Sequence, residues 1–187
     1  TTMMSQLVML ALDHSELVPI LIKVQRLQLR MSGAPQRFDA TFNWIDAFLS
    51  LEHKPVVHRF LRQAMMARRA LLLIDGVDEG GAKRPEIERH VTEVLAPQGH
   101  VMLCTSRPAS IKAASYTDAR FQRFELAPLS DEQQQTALNQ RIGEADAVEL
   151  LKYADKMPLD EKKLRVTSNP LMLSMLASVY EVRQGLS

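Results

Sequence analysis

RRALLLIDGVDEGG, from Arg68 to Gly81, is the stretch whose reading decides the fold. Two arginines precede a continuous apolar run, Ala70 to Ile74; Asp75, Asp78 and Glu79 then come among glycines at 76, 80 and 81. An unbroken apolar run of this length that ends in a turn signal suits a strand buried on both faces, as in a parallel sheet covered by helices. The acids then emerge at its carboxyl end, where open α/β sheets bind their ligands. Carboxylates this close repel one another unless a cation or positive partner holds them ionised. Mg²⁺ is the cation that fits, since it takes oxygen ligands and shares them with substrate phosphates.

Working outward, the same alternation recurs. TTMMSQLVMLAL, residues 1 to 12, reads as a mostly buried helix with Met3, Met4, Leu7, Val8, Leu10 and Ala11 at helical spacing. Leu17 to Gln25 reads as a strand ending in a polar turn, with Pro19 near its start. Next is a helical segment carrying Phe38, Phe42, Ile45, Phe48 and Leu49, with Trp44 beside its stripe. The next helix, Val56 to Arg69, is expected to bury Val57, Phe60, Leu61, Ala64 and Met65 and to feed directly into the central strand. Pro85 opens a helix with Ile87, Val91, Val94 and Leu95 on one side. Val101 to Thr105 is expected as another doubly buried strand, delivering Ser106, Arg107 and Pro108 at its end, and Arg123 to Leu126 as a last short strand. Strands alternating with helices predict an α/β fold with a parallel sheet and right-handed crossovers.

From Pro128 the character changes to all-helical. Ser130 and Gln133 form a capping box, and helices are expected at Ala145 to Met157 and at Pro170 to Arg183, the last with Asn169 as N-cap and Leu171, Met172, Met175, Leu176 and Val179 as its stripe. The expected organisation is therefore an α/β core over 1–128 and a helical subdomain over 129–187.

Composition narrows the class. At 187 residues the chain can hold one sizeable core plus a smaller subdomain. Lysine and arginine number 23 against 22 acids, a net charge of +1 that argues against a dominant nucleic-acid or acidic-membrane surface. The one cysteine, Cys104, sits in an apolar run and cannot form an internal disulfide, so a reduced, cytoplasmic setting is expected. Apolar stretches fall far short of the roughly 20 residues that cross a bilayer.

LLLIDGVDE, VMLCTSRP and NPLMLSMLASVYE, in this order and at these intervals, resemble the NACHT family of signal-transduction nucleoside triphosphatases, part of the wider STAND group, over nearly all of the chain. The resemblance implies a P-loop fold binding ATP, or GTP, with Mg²⁺ as its metal. It assigns Asp75 to Mg²⁺, Asp78 and Glu79 to the catalytic acid pair, Arg107 to sensing the terminal phosphate, and Pro170 to the nucleotide base. The phosphate loop, G-x-x-x-x-G-K-[ST], is absent, and no glycine precedes Gly33. The opening residues look like the segment directly after the Gly-Lys of such a loop, with Thr1 at the Mg²⁺-binding hydroxyl position and Thr2 beside it at the nucleotide. The sequence is accordingly expected to begin within that motif, as a piece of a longer protein, without the preceding strand that in this family lies mid-sheet. Partners implied are a nucleotide, further copies of the protein, and proteins reached through flanking domains.

Other chemistries fare worse. The acids could be a solvated turn, and a calcium loop fails because Val77 occupies a ligand position. The five histidines, at 14, 53, 58, 90 and 100, show no metal-ligand spacing. Neither G-x-S-x-G nor G-x-G-x-x-G is present. The ten methionines suit core packing. A scaffold that keeps the fold without nucleotide turnover is the alternative reading; a kinase or helicase-like enzyme would need a substrate insertion or basic groove that the sequence lacks.

Overall fold

A computed structural model of the chain describes residues 2–14, 16–110, 116, 120–160 and 163–184. The chain divides into two compact units, Thr1–Arg123 and Phe124–Ser187. The first is α/β, built on a three-stranded parallel sheet of order β1-β2-β3, with β1 Val18–Lys23, β2 Ala70–Asp75 and β3 Val101–Cys104. Helices α1 (Thr2–His14), α2 (Val24–Gly33), α3 (Pro35–Asp39), α4 (Trp44–Glu52), α5 (Pro55–Met66) and α6 (Arg84–His90) accompany it.

β2 is the central strand. Its Leu72, Leu73 and Ile74 are essentially inaccessible, as a strand paired along both edges and covered on both faces requires. Ile20, Ile22, Leu72 and Ile74 join Ile45, Leu49, Ile87 and Leu95 in one core. β3 lies at an edge, and Val101 is 50% exposed, so the expectation that this run is doubly buried does not hold. Its apolar sequence answers only β2 on one side.

Several helices differ from expectation. β1 passes directly into α2 with no polar turn, because Val24, Leu27 and Met31 recur at i, i+3 and i+7 and all bury. The aromatic segment is two helices, broken before Asn43, whose Oδ1 caps α4 by accepting from Ile45 N–H at 3.0 Å. α1 covers only one face: Met4 and Ala11 are buried, whereas Met9, Leu10 and Leu12 are more than half exposed. In α5 the buried residues are Ala64 and Met65, while Val57 and Phe60, expected inside, face solvent. Arg123 to Leu126 form no strand, and Phe124 and Leu126 are exposed; a two-residue apolar alternation cannot hold a strand without a partner edge.

The second unit packs α7 (Asp131–Ile142), α8 (Glu144–Ala154) and α9 (Pro170–Gln184) around Leu138, Ala147, Leu150, Leu173 and Ala177. The capping box closes as expected: Gln133 N–H donates to Ser130 Oγ at 3.2 Å and Ser130 N–H to Gln133 Oε1 at 2.9 Å. On α9 the expected stripe is mostly the outer one, with only Leu176 of it packed against the core. Leu171, Met175 and Val179 face solvent, and Leu173 and Ala177 turn inward. Arg141 of α7 ties α9 down through Ser174, Ser178 and Glu181, and a cation held by α7 fixes which face of α9 can reach it.

One buried contact couples the first unit to pH. Trp44 and His90 stack with centroids 4.7 Å apart at 6°, and Trp44 N–H donates to His90 Nε2 at 3.2 Å. Burial pushes His90 from its ordinary 6.5 down to about 4. The unfolded chain therefore takes up this proton first as pH falls, so the stability is complete above 6.5 and drains away down to about 4. Chemical denaturation should show a loss of about 3 kcal/mol across that window from this residue. His100, lowered by burial and by Arg68, adds to the same fall. His90→Gln, which keeps an acceptor and cannot titrate, should remove most of the slope.

Candidate functional site

Parallel strands all end on the same side of a sheet, and here the carboxyl ends of β2 and β3 bring four chemically active side chains together. β2 delivers Asp75, 8% exposed. The ladder continues one step past β3, since Thr105 N–H donates to Ile74 carbonyl at 2.9 Å. This sets the Thr105 hydroxyl against Asp75: it donates to Oδ1 at 2.8 Å and accepts from Gly76 N–H at 3.0 Å. Val77 N–H then donates to Thr105 carbonyl at 2.8 Å, so the start of the acidic turn is stitched to the end of the neighbouring strand.

Beyond it the chain tightens into a 3₁₀ segment, Val77–Lys83. Gly76 has φ +76°, and a Cβ there would lie 3.1 Å from both Cδ and Oε2 of Glu79, so a side chain would be strained and crowded at once. Glu79 thus lies back over the turn, exposed, with no partner for its carboxylate among the described residues. Asp78 turns the other way. Its side chain is only 9% exposed and meets Arg107 twice, Oδ1 accepting from the backbone N–H at 3.3 Å and Oδ2 lying 3.4 Å from Nε. The Arg107 side chain is 78% exposed, so solvent reaches the arginine side of the pair while Asp78 stays covered. Arg84 of α6, paired with Glu88 at 2.9 Å, also donates to the carbonyl of Ser110 and so tethers the loop beyond Arg107.

Of the residues singled out from sequence, Asp75, Asp78 and Arg107 come together, and Glu79 lies beside them. Thr2 opens α1. Thr1 lies outside the described residues. Pro170 is the first residue of α9 in the second unit, behind Asn169, whose Oδ1 accepts from Leu171 N–H at 2.9 Å. Thr105 is the participant that sequence reasoning misses, since it reads as the plain end of a strand; its signal is a hydroxyl one residue past an apolar run whose neighbour strand ends in an acid. Cys104, next to it, is no nucleophile, because burial pushes its thiol up to about 12.

Among the described residues no three His, Cys, Asp or Glu side chains cluster as metal ligands. One oriented carboxylate does suit a Mg²⁺ shared with phosphates, which needs only one or two from the protein. A shallow cleft of about 330 Å³, lined by Phe38, Phe42, Trp44, Glu86, Arg89 and His90 among others, contains none of the strand-end residues. No protein-family model, curated protein or solved structure matches the chain. Among the described residues no helix is long and apolar enough to cross a membrane.

The Thr105 hydroxyl fixes both Asp75 and the turn, which a valine of the same shape cannot do. Thr105→Val should cost about 2 kcal/mol by urea denaturation, since it strips a bond from a carboxylate and orphans Gly76 N–H. Thr105→Ser should recover most of it.

Proposed function

We propose that this chain is a nucleotide-binding switch module of NACHT type, on a P-loop fold, taking ATP or GTP with Mg²⁺ and hydrolysing it slowly. The observation that carries the reading is the meeting of Asp75, Asp78, Thr105 and Arg107 at the carboxyl edge of a parallel sheet, where phosphates are bound in open α/β folds. Mg²⁺ would supply neutralisation of the charge that develops on the phosphate. Asp75 is the carboxylate to hold it, and the Thr105 hydrogen bond keeps that carboxylate in one orientation. The Thr1 hydroxyl is a further ligand by resemblance alone. The reading also requires a phosphate loop ahead of Thr1, on a strand that would pair along the free edge of β3 and cover Val101.

This reading gives the two remaining acids separate roles. Asp78 has both oxygens engaged by Arg107, so its work is to position that arginine. Glu79, whose carboxylate is exposed and has no partner among the described residues, would orient the attacking water. A phosphate arriving at Arg107, whose side chain is exposed, would compete with the nearly buried Asp78 for the guanidinium. Nucleotide state would thereby alter the link between the two strand-end turns. Self-association and protein partners reached through flanking domains, in a cytoplasmic setting, complete the proposal.

A scaffold without turnover is the second reading. In that reading the Asp78–Arg107 pair serves as a structural link between the two strand-end turns.

Titration calorimetry and a phosphate-release assay on the full-length protein separate these. Asp75→Ala should weaken Mg²⁺-nucleotide binding about tenfold or more and leave metal-free binding nearly unchanged. Glu79→Gln should preserve binding and slow release about a hundredfold. Equal affinity in the Asp75 variant refutes the nucleotide reading; binding without any release leaves the scaffold.

A further inference from the structure

Away from the strand ends, the first unit has a cleft of about 330 Å³ between the α3–α4 connection and α6 with the helical turn that follows it, Val91–Leu95. That volume is at the low end for sites that take small organic groups. Three features of the cleft select its occupant. His90 lines it and is only 7% exposed. The ring's Nε2 accepts from Trp44 N–H, so its proton sits on Nδ1, and this N–H has no acceptor among the described residues. Burial pushes His90 down to about 4, which keeps the ring neutral near pH 7, a donor that adds no positive charge. Phe42 forms a wall of the cleft while 76% exposed, because the helix break before Asn43 carries it out of the core. Three carboxylates, Asp39, Glu86 and Glu93, line the cleft against one cation, Arg89. Lys83 answers Glu86 at 3.0 Å, whereas Asp39, Glu93 and Arg89 form no ion pair among the described residues.

We propose that this cleft binds an arginine or lysine side chain of a peptide segment, whose own backbone carbonyl accepts from His90 Nδ1–H. The inference goes beyond the nucleotide reading and holds whether or not that reading does, since the cleft shares no residue with the strand-end site. Each half of such a ligand meets a group the fold leaves unused. The carbonyl pairs a donor that a nearly buried ring otherwise carries unpaired. The cation lies against the exposed ring of Phe42 and beside Asp39 and Glu93, where the ring face and the carboxylates attract it together. Arg89 opposes it, but two unpaired carboxylates against one arginine leave an excess of negative charge. That excess also separates a peptide from a free amino acid. A free amino acid would bring an α-carboxylate into an acidic cleft, whereas the peptide brings a neutral carbonyl. A purely apolar ligand would leave Nδ1–H unpaired and cover the carboxylates with no partner.

Trp44 is the only tryptophan of the chain and its ring stacks on His90, so its fluorescence reads the cleft directly. Titrating the intact chain with Nα-acetyl-arginine methylamide, and with its lysine analogue, up to about 10 mM should give a saturable change that added salt weakens. The leucine analogue should not saturate, and free arginine should bind about tenfold more weakly than the amide. Asp39→Asn combined with Glu93→Gln should weaken the arginine amide about fivefold, and Phe42→Ser should do the same. These side chains are exposed, so the variants should keep the parent circular dichroism. The proposal is overturned if neither cationic amide gives a saturable change, or if the double variant binds them as tightly as the parent. It is also overturned if free arginine binds at least as tightly as the amide, or if the acetyl-glutamate amide binds more tightly, which would make Arg89 the anchor and the ligand an anion.

Discussion

Parallel hydrogen bonding runs along both edges of β2, with Val18 to Lys23 opposite Ala70 to Asp75 on one side and Val101 to Cys104 opposite Leu71 to Ile74 on the other. A backbone satisfied in both directions leaves its side chains free to be wholly apolar, and Leu72, Leu73 and Ile74 use that freedom. The same pairing dictates where chemistry can stand. Because the strands run the same way, each ends on one edge, and residues 30 positions apart, Asp75 and Thr105, meet at hydrogen-bond distance.

At that edge the three acids are kept apart by their partners. Asp75 is buried and receives a hydroxyl; Asp78 turns towards an arginine; Glu79 folds back over a glycine where a side chain would be strained. Placing carboxylates within a few residues of one another is unfavourable in a solvated turn, and here each is given separate surroundings. Thr105 matters more than its size suggests, since one hydroxyl serves the Asp75 carboxylate and the Gly76 amide together.

Where local chemistry decides the outcome, the sequence is legible. The central apolar run, the Pro85 turn that opens α6, the Ser130–Gln133 box and the Asn169–Pro170 helix start all depend on neighbours within four residues. Where burial has a choice of faces it is not. α5 and α9 each carry two apolar stripes, and periodicity cannot say which one meets a partner. On α5 the small Ala64 is buried in the first unit's core while Phe60 stays outside; on α9 Leu173 and Ala177 pack into the second unit's own helical core while Met175 remains in solvent. α2 reads as a polar turn because its cations hide a three-residue stripe, and Arg26 and Arg30 in fact share Glu52.

The sequence by itself determined a parallel α/β unit with helices after it and marked Asp75, Asp78, Glu79 and Arg107 as the residues to watch, because apolar runs, turn glycines and charge placement are local properties. Only the tertiary structure decided that Thr105 belongs with them, that Arg107 is held by Asp78 and not by Glu79, and that β3 is an edge strand among the described residues. Those facts depend on which strands lie side by side and in what register, and pairing across 30 residues leaves no periodic trace in the chain.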